Sequence, residues 1–168
     1  DGKYTIHYLS YYSETDIRFE KLRHPLSKNL KLKSQIEAWL NEISPNVRIN
    51  IREDSVGNSL TLKYQYSTDL GQSKEYKPEN VGFGISYILP VLVAILTAEK
   101  DSLLLIENPE AHLHPSGQSA IGKLLCLAAE CGIQCIIETH SDHIINAVLV
   151  NVKEKQREST HGISKDNV

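Results

Sequence analysis

Two short apolar runs end in side chains suited to handling a metal-bound phosphate. Leu103-Leu104-Leu105-Ile106 leads into Glu107-Asn108-Pro109-Glu110, and Ile136-Ile137 leads into Glu138-Thr139-His140. A carboxylate at a strand end holds Mg²⁺ directly or through water. A histidine at the neighbouring strand end can donate to a phosphate oxygen. Each feature alone is commonplace, as a Glu after an apolar strand or a satisfied surface His. Together they carry more weight, because a glycine-rich loop, Val81-Gly82-Phe83-Gly84-Ile85-Ser86, precedes an apolar helix just upstream. His112 and His114 add an H-x-H pair. With Glu107, Glu110, His140 and His143 they make a nominal metal-ligand set. The simpler alternative is that both histidines belong to the turn and bond backbone groups.

For these groups to meet, both strands must be parallel and end at one edge of a sheet. The pattern predicts that. Apolar residues from Ser86 to Ala98 read as a buried helix with Pro90 near its first turn. Leu103 to Ile106 reads as a strand buried on both faces. Pro115 opens a second helix, with Ile121, Leu124, Leu125 and Ala128 as its buried stripe and Gly132 as its stop. Ile133 to Ile137 is a second buried strand. Ser141 or Asp142 caps a third helix facing inward through Ile144, Ile145, Val148 and Leu149. This alternation implies parallel crossovers and a three-layer α/β sheet. Upstream the style differs. Tyr4 to Tyr12 alternates weakly, as a strand. Leu32, Ile36, Trp39, Leu40 and Ile43 line one helix face, with Ser27 or Asn29 as its cap. Val47 to Arg52 and Leu60 to Tyr66 form an antiparallel hairpin turning at Gly57-Asn58. The expected division is 1–80, a helix and hairpin arm, and 81–168, the α/β lobe.

The run Glu107-Asn108-Pro109-Glu110-Ala111-His112-Leu113-His114-Pro115, followed one helix and one strand later by Glu138-Thr139-His140-Ser141, resembles the extended Walker B and switch-histidine motifs of bacterial ABC-class (AAA-type) predicted ATPases. These are relatives of OLD-family and SMC-like proteins. Val81 to Ser86 resembles their divergent signature loop. The resemblance is specific over Val81 to Val150. It implies a partial P-loop ATPase fold, ATP and Mg²⁺ as cofactors, and ATP-dependent head dimerisation in DNA repair or phage defence. Residue by residue, it makes Glu107 the Mg²⁺ carboxylate and His140 the γ-phosphate sensor. Gly82, Gly84 and Ser86 become contacts to a nucleotide held by a second subunit, which suits a helix N-terminus. The chain departs from the pattern at Asn108, where a water-polarising glutamate is usual. An amide holds water but cannot take its proton, so either Glu110 serves instead or hydrolysis is lost. No G-x-x-x-x-G-K-[ST] occurs in the chain, so the phosphate-loop (Walker A) lobe is expected on a preceding segment, its natural partner. The chain alone is then expected to be inactive. An effector nuclease or a nucleic acid is a further expected partner.

Composition sets the outer bounds. The chain has 168 residues and a formal net charge of −3, which gives no overall nucleic-acid footprint. One segment is basic: Arg18, Lys21, Arg23, Lys28, Lys31 and Lys33 against Glu20. It is either a solvated face or a DNA-facing patch. The absence of any methionine suggests a piece of a longer protein. Three cysteines fit no disulfide framework. They point to reduced thiols in a cytoplasmic protein, and no apolar run is long enough for a bilayer. Two rival functions remain open: a metal-dependent hydrolase built on the His/Glu cluster, and a non-catalytic interaction module from a decayed ATPase.

Overall fold

The computed structural model describes residues 2–54 and 59–158. It begins with a correction. Thr5–Tyr12 is a helix, α1, where a strand was expected. Thr5 and Leu9, one turn apart, are buried in it. Packing of that stripe on the strands and helix that follow overrides the β-preference of its tyrosines, threonine and isoleucine.

The second helix, α2 (Leu32–Asn41), buries Leu32, Ile36, Trp39 and Leu40 as its spacing predicts. Its cap is Lys31, with no side-chain bond. Asn29 acts one step earlier, its Oδ1 accepting from the Lys31 N–H at 3.0 Å, and Ser27 bonds the Asn29 carbonyl. Both order the approach to the helix. Trp39 donates its indole N–H to the Leu22 carbonyl at 3.1 Å. Glu37 is buried and satisfied, accepting from the Ile49 N–H at 3.0 Å and from Arg48 at 2.8 Å.

Those two residues lie on β1 (Val47–Asp54), which pairs antiparallel with β2 (Ser59–Thr68) in a register that sets Ile49 opposite Tyr64. The expected Gly57-Asn58 turn lies outside the described residues. A two-residue strand, β3 (Gly71–Gln72), adds to β2. Beyond it Tyr76 bridges to Tyr64.

The α/β lobe follows as α3 (Phe83–Thr97), β4 (Leu103–Glu107), α4 (Pro115–Glu130), β5 (Gln134–Glu138) and α5 (Asp142–Glu158). β4 and β5 are parallel neighbours, as expected, with Glu107 opposite Glu138. α3 begins three residues earlier than the sequence suggested. Gly82 is therefore its cap, Gly84 and Ser86 lie in the first turn, and Pro90 is an interior residue. An interior proline commonly costs ~3 kcal/mol. The helix withstands it because Ile85, Ile88, Leu89, Leu92, Ile95 and Leu96 are all buried. Gly132, at φ +79°, closes α4 in the left-handed conformation glycine favours.

Two burial expectations fail. The strands are covered on one face only: Ile106 is buried and Leu104, Cys135 and Ile137 join the core. On the other face Leu103, Leu105 and Ile136 are 51%, 70% and 53% exposed. On α5, Ile144 is buried but Ile145 and Leu149 are exposed. A continuous apolar run shows that a strand is apolar on both faces, without showing that both are covered in this chain.

A single cluster of buried residues runs through both halves, joining Trp39 and Leu40 of α2 to Ile88 and Leu92 of α3. The sheet type changes between β3 and β4, within a shared core. The basic segment is largely consumed internally. Arg18 pairs with Glu99 at 2.7 Å, Lys21 with Glu130 at 2.9 Å and Lys31 with Asp16 at 2.9 Å, while Arg23 bonds the Ser27 carbonyl. This is a solvated, self-paired face. The three cysteines are free, and burial pushes the Cys126 thiol up to about 11, with Glu130 and Cys135 adding to it. No helix among the described residues is long and apolar enough to cross a membrane.

Candidate functional site

The parallel register of β4 and β5 places residues 107–110 and 138–141 at one edge of the pair. Alternation then sorts the side chains. Glu107 and Glu138 share the open face with Leu103, Leu105 and Ile136. The Glu107 carboxylate is exposed and makes no hydrogen bond or ion pair among the described residues. An unpaired carboxylate at this edge has the right chemistry for a hydrated Mg²⁺. Its backbone carbonyl accepts from the Tyr87 hydroxyl at 3.1 Å.

Past Glu107 the two loops are stitched together. Asn108 takes a left-handed backbone, φ 45°, and its N–H donates to the Glu138 carbonyl at 2.8 Å. Glu110 reaches across, its Oε1 accepting from the His140 N–H at 2.7 Å. Its Oε2 is buried with no partner of standard geometry. Burial alone would raise the Glu110 carboxyl. The backbone N–H groups of His140 and of Glu110 itself, the nearby Thr139 hydroxyl and the His140 ring outweigh it and hold the carboxyl below its usual range. Glu110 is therefore held in its carboxylate form and bonded to the His140 backbone.

Ser141 caps α5 by accepting from the N–H groups of His143 and Ile144 at 3.1 and 3.3 Å. It also donates to Gln118 Oε1, and Gln118 donates to the Leu113 carbonyl at 2.9 Å. The loop after β5 is thus held from both sides, and the His140 side chain remains exposed.

His112 and His114 take the turn roles. His114 caps α4, its Nδ1 accepting from the Ser116 N–H at 3.4 Å. His112, at φ 60°, lies 5.7 Å from the Phe83 ring, centroid to centroid. Among the described residues no group of three His, Cys, Asp or Glu side chains converges as a metal-ligand set.

The start of α3 leans on this loop. A Cβ on Gly84 would sit 2.5 Å from the His112 carbonyl oxygen and 2.9 Å from Leu113 Cδ2. Only glycine permits that approach. Gly82 has open space around it and no side chain caps the helix; of the first N–H groups of α3, that of Ile85 bonds the Gly82 carbonyl at 3.1 Å. Ser86 differs from its neighbours: its hydroxyl is turned inward and buried.

The structure therefore gathers Glu107, Asn108, Glu110 and His140 at one edge, and sets Gly84 beside the His112 turn. Sequence reasoning missed Gln118 and Tyr87, whose bonds span 5 and 20 residues; no motif marks them. An open groove of about 780 Å³ runs along α1, α3 and β4, lined by Tyr4, Tyr8, Ser86, Tyr87, Leu105 and Glu107 among others.

Comparison with known proteins bears on this geometry. A family described as "AAA domain, putative AbiEii toxin, Type IV TA system" matches residues 4–146. No curated protein matches the chain. Among solved structures, one from work on ATP-driven dimerization and DNA-stimulated activation of SMC ATPases superposes with a TM-score of 0.53 at 12% identity, covering 69% of this chain and 71% of that one. Another, an SMC head bound to the C-winged helix domain of ScpA, gives 0.52 at 14% identity, over 69% of this chain and 36% of that one. At such identities the likeness is one of fold, that of a P-loop NTPase head.

Proposed function

The chain belongs to this AAA-domain family, and from that premise we propose that it is the Walker B and switch lobe of an ABC-class ATPase whose heads dimerise around ATP. The observation that carries the reading is the parallel edge where Glu107, Asn108, Glu110 and His140 meet. Glu107 would hold Mg²⁺ through its waters, and the bound ion would neutralise phosphate charge. His140 would donate to the γ-phosphate. Gly82, Gly84 and Ser86 would meet the nucleotide of a second subunit. Glu110 positions the His140 backbone, and would have to release that N–H before acting as a base. Because Asn108 cannot take a proton, turnover is slow; positioning and electrostatics do most of the work in phosphoryl transfer.

The phosphate-binding loop would come from a preceding lobe, laid over the open face of β4 and β5. Parallel strands are rarely left bare on one face, and that face ends at Glu107. Residues 81–168 are then the ATPase lobe and 1–80 its arm, in a cytoplasmic protein. The task we assign is a nucleic-acid transaction in repair or phage defence. ATP-driven dimerisation in the SMC relative supports the first half of this, and the toxin-system wording of the family description suits the second.

The test is ATP turnover by the complete protein, beside His140→Ala and Glu110→Gln. Both substitutions should lower turnover at least tenfold. No turnover, with ATP-dependent dimerisation retained, would leave a nucleotide switch. Absence of both would end the ATPase reading.

A further inference from the structure

Gln118 closes the first turn of α4, half-buried, and its amide bonds in two directions. Nε2 donates to the Leu113 carbonyl at 2.9 Å, and Oε1 accepts from the Ser141 hydroxyl. The polarity of this chain is fixed. The Ser141 oxygen already accepts from the N–H groups of His143 and Ile144. That fills its two lone pairs and leaves its proton for Gln118. The amide oxygen must therefore face Ser141, and the amide nitrogen the Leu113 carbonyl. Ser141 and Leu113 are both buried, so little solvent competes at either end.

The amide also completes a closed ring. Leu113 donates its N–H to the Glu110 carbonyl at 3.0 Å. The Glu110 carboxylate accepts from the His140 N–H at 2.7 Å. His140 is joined by its peptide bond to Ser141, which returns through Gln118 to the Leu113 carbonyl. The ring braces the 110–113 turn against the 139–141 loop at two points, and two braces resist a rotation that one would allow. One side of the ring carries His140. On the other side the same turn is the seat of α3: a Cβ on Gly84 would meet the His112 carbonyl oxygen and Leu113 Cδ2, and the His112 ring lies beside Phe83. Glu110 and His140 have roles in the proposed reading. Gln118 has none, and without it the ring opens. We infer that Gln118 is a positioning residue that joins the His140 loop and the seat of α3 into one body, so that phosphate contact at His140 for one nucleotide sets the placement of the glycine loop offered to the other. This rests on the roles proposed above for His140 and for Gly82, Gly84 and Ser86, and adds their coupling. The link transmits no more free energy than it holds, which bounds its effect to about two- to tenfold, the net worth of one hydrogen bond.

The experiment measures ATP-driven dimerisation of the complete protein for wild type, Gln118→Met, His140→Ala and the double variant, with ADP affinity and thermal unfolding for each. Methionine keeps the length of the side chain and loses both bonds. Gln118→Met should weaken dimerisation about two- to tenfold and leave ADP affinity and the unfolding midpoint as in wild type. In the His140→Ala background it should add nothing, because the link then has no phosphate contact to pass on; a cycle of this kind isolates the coupling. Gln118→Glu keeps the acceptor for Ser141 but loses the donor to Leu113, opens the same ring, and should behave as Gln118→Met. If the wild type does not dimerise with ATP, the reading above fails and the inference with it. If the wild type dimerises and Gln118→Met matches it, acts equally with and without His140, or loses ADP affinity in step, the inference alone is overturned. ATP-driven dimerisation that falls while ADP affinity holds decides the matter where His140→Ala leaves no dimer to measure. Should Gln118→Met fail to fold, Gln118→Glu takes its place in the cycle; if neither folds, Gln118 is structural and the inference is overturned.

Discussion

The two sheets of this molecule meet their obligations differently. The antiparallel sheet of β1, β2 and β3 is braced by helices of the same chain: Glu37 of α2 caps the Ile49 N–H, and α1 lies against β1 and β2. Ile49, Leu62 and Tyr64 are buried without help from elsewhere. The parallel pair of β4 and β5 has one covered face and one bare one, although its sequence is the more apolar of the two. Apolar content therefore reports what a strand needs, and the arm supplies it locally while the parallel pair leaves half its demand unmet. Glu107, the carboxylate proposed to hold Mg²⁺, stands at the end of the unmet half.

The contrast can be broken most directly by paired substitutions on adjacent residues of β4. Ile106→Ala should cost about 2–5 kcal/mol, the range for emptying a buried aliphatic site. Leu105→Ala should stay within roughly 0.5 kcal/mol in this chain, measured by denaturant unfolding. Equal losses would mean that the bare face is covered after all. A smaller effect tests whether the loop edge is as fixed as the covered face. Gly84→Ala forces a Cβ against the His112 carbonyl and should cost about 1–3 kcal/mol, as overpacking does. A neutral result would show that the 112–113 turn yields freely.

The smallest effect belongs to the carboxylate that stitches the edge. The folded Glu110 carboxyl is depressed below its ordinary value of 4.5. Its contribution is then fully present above the unfolded value and is lost as pH falls through the folded one. Glu110→Gln keeps an acceptor for the His140 N–H but loses the charge. The stability gap between wild type and variant should therefore be constant near neutrality and close below about pH 4.5. A gap independent of pH would mean that the charge does not hold the loop.

Much of this was legible because periodicity and punctuation are local. Pro115 and Gly132 bound α4, and Ser141 caps α5, as their types require. The hairpin partners follow from alternation. What was not legible depended on distant neighbours. Tyr4 to Tyr12 is helical because Thr5 and Leu9 find a surface to pack on. The bare faces of Leu105 and Ile136 cannot be read from apolar runs. The bond from the His140 N–H to Glu110 was not legible because the two residues lie 30 apart.

The left-handed backbone of Asn108 limits which side chains can stand there. Asparagine occupies such a conformation with little strain, whereas most side chains pay roughly 1–2 kcal/mol. The glutamate usual at this position in the ATPases it resembles would thus arrive with a conformational penalty. Under the proposed reading, placing a carboxylate at position 108 would therefore need the turn to be remodelled along with the side chain.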